Sequence, residues 1–167
     1  MEIILAENHG FCYGVKRAVE MADEAANSEG KSYTLGPIIH NPQVVGRLES
    51  KGVSPIQEVA DIDEGTMIIR SHGVGPAIYA EAEEKGLHIL DATCPHVKKA
   101  QQDAKSVIED GMTLVILGEK NHPEVKSINL WANNKGIIIE DEESAEKLQI
   151  VEKMGVVVQT TFSQFKF

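Results

Sequence analysis

Short β-rich runs alternate with helix-period patterns along the whole chain, and that alternation restricts the fold more than any other feature. Residues 2–6 read as a strand, and Val15, Ala18, Val19, Ala22 and Ala26 then recur at helical spacing behind Gly14. Residues 33–35 read as a second strand. Asn41 can cap a helix that opens on Pro42, carries Val44, Val45 and Leu48 inward and stops at Gly52. Residues 67–70 form a third strand, followed by a helix over 76–85. The grammar then repeats: a buried strand at 87–90 and a helix opening on Pro95 with Val97, Ala100, Ala104, Val107 and Ile108 on one face. A strand at 113–117, a short helix at 123–131, a strand at 137–140, an acidic helix at 142–148 and a strand at 155–159 complete it. Strands alternating with helices predict an α/β fold with mainly parallel sheets, here as two small α/β units.

Charge and composition narrow the partners. Acidic residues number 26 against 16 basic, a formal charge of −10, which argues against nucleic-acid binding because that needs a basic face. Aromatics are only 5% of the chain, so the core must rest on Val, Ile, Leu and Ala. The start, Met1-Glu2-Ile3-Ile4-Leu5, has no basic region followed by a long apolar stretch, and no apolar run approaches the roughly 20 residues that span a bilayer. The reading is therefore no membrane segment and a cytoplasmic location. Two cysteines without an export signal argue against a structural disulfide.

The reactive residues share a position. Cys12, His40, Ser71-His72, Thr93-Cys94, His122-Pro123-Glu124 and Thr160-Thr161 all follow predicted strands, and most precede predicted helices. In open α/β sheets ligands bind at that edge, where helix N-termini point N–H groups outward. The six places read as one convergent site. Cys12 and Cys94 each stand at a helix start, where the dipole favours a thiolate. Two such thiols suit zinc, an iron–sulfur cluster or two unrelated roles, and the spacing, which is not CxxC, leaves these open. His40, His72 and His122 beside helix N-termini suit a phosphate or diphosphate; the plainer reading of each is a loop histidine bonded locally. Glu124 can carry a proton, or can be a first-turn acid that stabilises its helix. His88 reads as structural, while His9 and His96 neighbour the cysteine turns. Asp141, Glu142 and Glu143 read as a solvated helix start.

Taken together, Gly10-Phe11-Cys12-Tyr13-Gly14-Val15, Ile39-His40-Asn41, Ser71-His72-Gly73-Val74, Asp91-Ala92-Thr93-Cys94-Pro95, His122-Pro123-Glu124-Val125 and Gln159-Thr160-Thr161 form an ordered set. In order and spacing it resembles the 4-hydroxy-3-methylbut-2-enyl diphosphate reductase family of isoprenoid biosynthesis, the last step of the methylerythritol phosphate route. The resemblance implies three α/β units in pseudo-threefold array around a 4Fe–4S cluster held by three cysteines, of which Cys12 and Cys94 match two. It implies that His40, His72, His122 and Thr160 face the diphosphate substrate and that Glu124 donates the proton. It further implies reductive loss of the substrate hydroxyl to give isopentenyl and dimethylallyl diphosphate, with electrons from an external donor such as ferredoxin or flavodoxin.

The family's third cysteine and its later Ser-x-Asn motif are, on that resemblance, expected to lie beyond residue 167. On that resemblance the chain is expected to be the N-terminal two-thirds of such a reductase, truncated and inactive alone. Residues 1–13 would then carry a strand of the missing third unit, 14–94 the first unit and 95–167 the second. Ser127 and Leu130 stand where glycines are common in the family. Two other readings are a non-redox diphosphate-binding protein of the same fold, and a zinc protein using Cys12, Cys94 and one histidine.

Overall fold

The computed structural model describes residues 2–7, 9–149 and 152–163. Four helices begin on proline, at α2 (Pro42–Ser50), α3 (Pro76–Glu84), α4 (Pro95–Glu109) and α5 (Pro123–Trp131). Proline suits a first helical position because the N–H it lacks would have no partner there. Asn41 caps α2 by accepting from Val44 N at 3.1 Å. Asp141 caps the short α6 (Glu142–Glu146) by accepting from Ser144 N at 2.8 Å, so the acidic stretch is the solvated helix start expected of it. In α1 (Tyr13–Ala26), Gly14, Ala18, Val19, Ala22 and Ala25 make the buried stripe.

The first sheet joins β1 (Ser32–Leu35), β2 (Val53–Ile56), β3 (Thr66–Ile69) and β4 (His88–Asp91), all parallel, in the order β2-β1-β3-β4. Side chains of β3 alternate between two cores. Ile68 packs with Ala18, Ala22, Ile38 and Leu48, while Met67 and Ile69 pack on the opposite face with Val59, Val74 and Ala82. Both faces are therefore covered, as a parallel sheet requires. The second sheet joins β5 (Thr113–Leu117), β6 (Ile137–Ile139) and β7 (Met154–Val158), again parallel, in the order β6-β5-β7. Leu114, Ile116 and Val157 face α4 and α5 through Ala104, Val125 and Ile128. Val156, paired with Val115 in register, stays 52% exposed.

Three expectations change. Residues 2–6 form no strand: Ile3, Ile4 and Leu5 are exposed, Ile4 at 83%. An apolar run becomes a strand only where a neighbour can take its N–H and C=O groups, and no described strand lies there. β2 was not anticipated, because Pro55 inside Val53-Ser54-Pro55-Ile56 reads against a strand. Proline is tolerated here since β2 is an edge strand, pairing only with β1. β4, expected to be buried, is the opposite edge, and His88 at its start is exposed rather than structural. Among the described residues no helix is long and apolar enough to cross a membrane.

The sheets are tied through α5. Ser127 Oγ lies 2.9 Å from His72 O, and Trp131 Nε1 donates to Val74 O at 2.9 Å. Leu130 packs on Gly75, where a Cβ would come within 2.8 Å of the Leu130 side chain. Ser127 and Leu130 thus help to join the halves.

Candidate functional site

Each sheet reverses its strand order once. In the first, the chain leaves β1 for β2 and returns across β1 to β3; in the second it leaves β5 for β6 and returns across β5 to β7. Loops after β1 and β3, and after β5 and β7, therefore depart in opposite directions and open a crevice at the strand ends. His40 and His72 follow β1 and β3, His122 and Glu124 follow β5, and Thr160 follows β7.

The three histidines converge. The His40 and His72 rings are 4.8 Å apart between centroids, His72 and His122 5.3 Å, and His40 and His122 6.4 Å. His72 is the inner one. Burial, then the neighbouring His40, His122 and Arg70, push its pKa down to about 4, so it is neutral near pH 7. Its Nδ1 is buried with no hydrogen-bond partner. His122 caps α5, its Nδ1 accepting from Glu124 N at 3.2 Å, which leaves its ring proton on Nε2. Three imidazoles meeting beside the Arg70 guanidinium suit an oxyanion. The three rings are also the one group of His, Cys, Asp and Glu among the described residues that could converge on a metal ion. For His122, however, Nε2 carries a proton instead of the free lone pair a metal takes.

Glu124 is almost fully buried, at 1% exposure, in the first turn of α5. Thr160 closes over it, its N–H donating to Oε1 at 2.6 Å and its hydroxyl to Oε2 at 2.7 Å. Thr160 itself is exposed, so its hydroxyl links the buried carboxyl to the surface. Gln159 fixes this strand end: its Oε1 accepts from Glu119 N at 2.9 Å and its Nε2 donates to Thr161 Oγ1 at 2.7 Å.

The cysteines lie at the starts of α1 and α4, with no hydrogen bond capping either helix, and both are free. Cys12 is exposed and Cys94 half-buried. A Cβ at Gly14 would sit 2.5 Å from Cys94 Sγ, so the absent side chain is what admits the sulfur beside the turn that carries Cys12. Arg17 donates from α1 to Thr93 O at 3.2 Å and to Asp91 O at 3.3 Å. Cys94 N donates to Ser71 O at 2.9 Å, joining this turn to the His72 loop. Asp91 Oδ1 accepts from Thr93 N at 2.9 Å, and Oδ2 takes Lys98 at 2.7 Å and the Tyr79 hydroxyl at 3.0 Å. Burial alone would raise the Asp91 pKa; the bonds from Lys98 and Thr93 outweigh it and hold the carboxyl below its usual range. Neither cysteine joins a histidine in a metal-binding group among the described residues, so the two-cysteine, one-histidine zinc set is not assembled. His9 and His96 are exposed, and His9 Nδ1 lies 2.8 Å from Ala6 O.

Some supporting contacts have no signal in the sequence. Arg17, Gln159 and Ser127 act across separations of 74–76, 40 and 55 residues, for which local pattern has no signal. Asp91 was findable, since Asp two residues before a turn N–H is a local motif.

The LytB protein family matches residues 3–167. The chain belongs to that family. It is 51% identical over 163 residues to the 4-hydroxy-3-methylbut-2-enyl diphosphate reductase of Geobacter metallireducens and 52% identical to that of Pelobacter propionicus. These alignments cover 98% of the chain and 58% of each relative. Among solved structures, that of an (E)-4-hydroxy-3-methyl-but-2-enyl diphosphate reductase, described as the terminal enzyme of the non-mevalonate pathway, matches with TM-score 0.85 and 46% identity. That match covers 98% of this chain and 59% of the other. The Plasmodium falciparum reductase matches with TM-score 0.90 and 32% identity, over 96% of this chain and 52% of its own. The parallel α/β architecture is thus that of LytB proteins, and the chain spans little more than half of their length.

Proposed function

We propose that these residues bind and protonate an allylic diphosphate in the reductive dehydroxylation carried out by LytB proteins. The observation that carries the reading is the meeting of three histidines beside a buried Glu124–Thr160 pair, at the two strand-order reversals. The substrate is 4-hydroxy-3-methylbut-2-enyl diphosphate. Two electrons and two protons cleave its C4–O bond, the oxygen leaving as water, to give isopentenyl or dimethylallyl diphosphate.

His40, His72 and His122 grip the diphosphate through ring N–H groups. Anchoring the substrate by this remote end lets binding energy hold C4 and its oxygen in place. Protonated Glu124 is the proton source and the Thr160 hydroxyl the path outward: turned from Oε2 towards the leaving oxygen, the hydroxyl passes its proton there while receiving one from Glu124. Burial under Thr160 keeps Glu124 from exchanging freely with water.

Cys12 and Cys94 fit an iron–sulfur cluster. They are two uncapped thiols at helix N-termini, and the open space at Gly14 admits one of the sulfurs. When bound, a 4Fe–4S cluster supplies electrons and Lewis acidity at the hydroxyl oxygen. They are the two cysteines of the sequence, so a third thiolate ligand comes from outside it. The same reading takes residues 1–13 as part of a third unit, with 14–94 and 95–167 as the first and second. An external one-electron carrier of ferredoxin or flavodoxin type serves as donor, in the cytoplasm.

Calorimetric titration with the substrate diphosphate tests the grip. His40→Gln and His122→Gln should each weaken binding about 10- to 100-fold, the loss of a hydrogen bond to a charged group. Unchanged affinity in both variants overturns the reading. In a reductase carrying this sequence, Glu124→Gln should slow turnover about 10²–10⁴-fold with little change in substrate affinity.

A further inference from the structure

Beside the histidine cluster lies a cavity of about 370 Å³ between the loops of the first sheet and α5. Arg70, Lys126, Gln57 and Asn121 line it beside Gly36 and Gly73, and Leu35, Val74, Ile78 and Leu130 give it apolar walls. His40, His72 and His122 are not among its walls, although Asn121 and Pro123, which flank His122, are.

Its two cations are unpaired. Arg70 directly follows β3, and its guanidinium enters the crevice at the end of β1, where a Cβ on Gly36 would come 2.8 Å from a terminal nitrogen. Gly36 also has φ +70°, so the position is closed to ordinary side chains for two reasons. Arg70 Nε is buried without a hydrogen-bond partner, and neither Arg70 nor the Lys126 side chain forms a hydrogen bond or ion pair with any other described residue. By contrast, Arg47 and Lys51 share Asp23, and Lys98 takes Asp91. In a chain with 26 acidic residues, a partly buried guanidinium left without a carboxylate is an expensive arrangement, and an anion supplied from outside offsets it. Burial weakens the hold of Arg70 on its proton, in keeping with the missing counter-charge.

We infer that this cavity is a second oxyanion subsite, in which Arg70 and Lys126 hold a phosphate-class anion alongside the one gripped by the histidines. The planar guanidinium can meet two phosphate oxygens at once, Lys126 adds a point charge at the mouth, and the Asn121 and Gln57 amides can satisfy remaining oxygens. The anion is either free phosphate or the phosphoryl end of a ligand lodged in the histidine site. The inference does not rest on the reductase reading, since it needs neither the substrate nor an iron–sulfur cluster.

Calorimetric titration with inorganic phosphate at low ionic strength tests it, using the unmodified chain, Arg70→Gln, Lys126→Gln and the double variant His40→Gln/His122→Gln. Saturable binding should weaken tenfold or more in Arg70→Gln and severalfold in Lys126→Gln, and persist in the histidine variant. Loss in the histidine variant as well as in Arg70→Gln places the phosphate at the histidines and overturns a separate subsite. Binding unchanged in both cation variants, or no saturable binding by the unmodified chain, overturns the subsite. Lys126 is exposed, so its variant reports even if Arg70→Gln fails to fold. Failure of the histidines to bind substrate diphosphate leaves this result untouched, so the two readings fall separately.

Discussion

The two strand-order reversals carry similar chemistry in opposite states. At the second sheet, both oxygens of Glu124 accept from Thr160, and the Gln159 amide is bonded at both ends. At the first, His72 Nδ1 and Arg70 Nε are buried with nothing bonded to them. One side is complete by itself; the other is completed by a ligand. Unpaired buried polar atoms are costly, and a fold keeps them where a bound partner recovers the cost. Substitutions at Glu124, Thr160 and Gln159 should therefore cost stability, and those on the first side should cost binding.

The largest expected effect is at Glu124. Glu124→Leu leaves the Thr160 N–H and hydroxyl without an acceptor, and should cost about 2–3 kcal/mol, a fall in melting temperature of roughly 4–12 °C for a chain of this size. If it melts with the parent, the pair is not the self-sufficient unit described. Next is His40→Gln, which should lower diphosphate affinity tenfold or more while leaving the melting temperature within about 1 °C, because His40 is exposed. A clear loss of stability there would erase the contrast between the two sides. Smaller again is Thr160→Val, which keeps shape and removes one hydrogen bond, for about 1 kcal/mol in chemical denaturation. Thr160→Ser should restore most of that.

A pH dependence gives the contrast a further readout. His72 titrates at about 4 when folded, against an ordinary 6.5. Between those values the unfolded chain binds a proton that the folded chain does not, so His72 lowers stability progressively as pH falls from 6.5 towards 4 and has no such effect above 6.5. Urea midpoints measured across that range should slope less in His72→Gln than in the parent. Diphosphate binding near pH 6 should also draw a proton onto the histidine cluster, visible as a dependence of the binding heat on buffer ionisation enthalpy.

The membership of the site was largely legible in the sequence. Pro42, Pro76, Pro95 and Pro123 marked four helix starts, and the reactive residues were readable as sharing one edge. His40, His72, His122, Glu124 and Thr160 were all named from sequence. What could not be read is whether each was satisfied. That depends on contacts such as Ser127 to His72 O and Thr160 to Glu124, made by residues 55 and 36 positions apart. Strand pairing misled in both directions for the same reason. Residues 2–6 have strand composition but no described neighbour to bond, whereas Val53–Ile56 contains a proline yet has β1 beside it.

Helix α1 bears Cys12 at its start and, in its second turn, the Arg17 guanidinium that grips the loop leading to Cys94. It therefore acts as a yoke. If the helix tilts or slides, it carries one sulfur directly and pulls the other along through Asp91 and Thr93. One helix thus sets where both cysteine turns lie relative to each other.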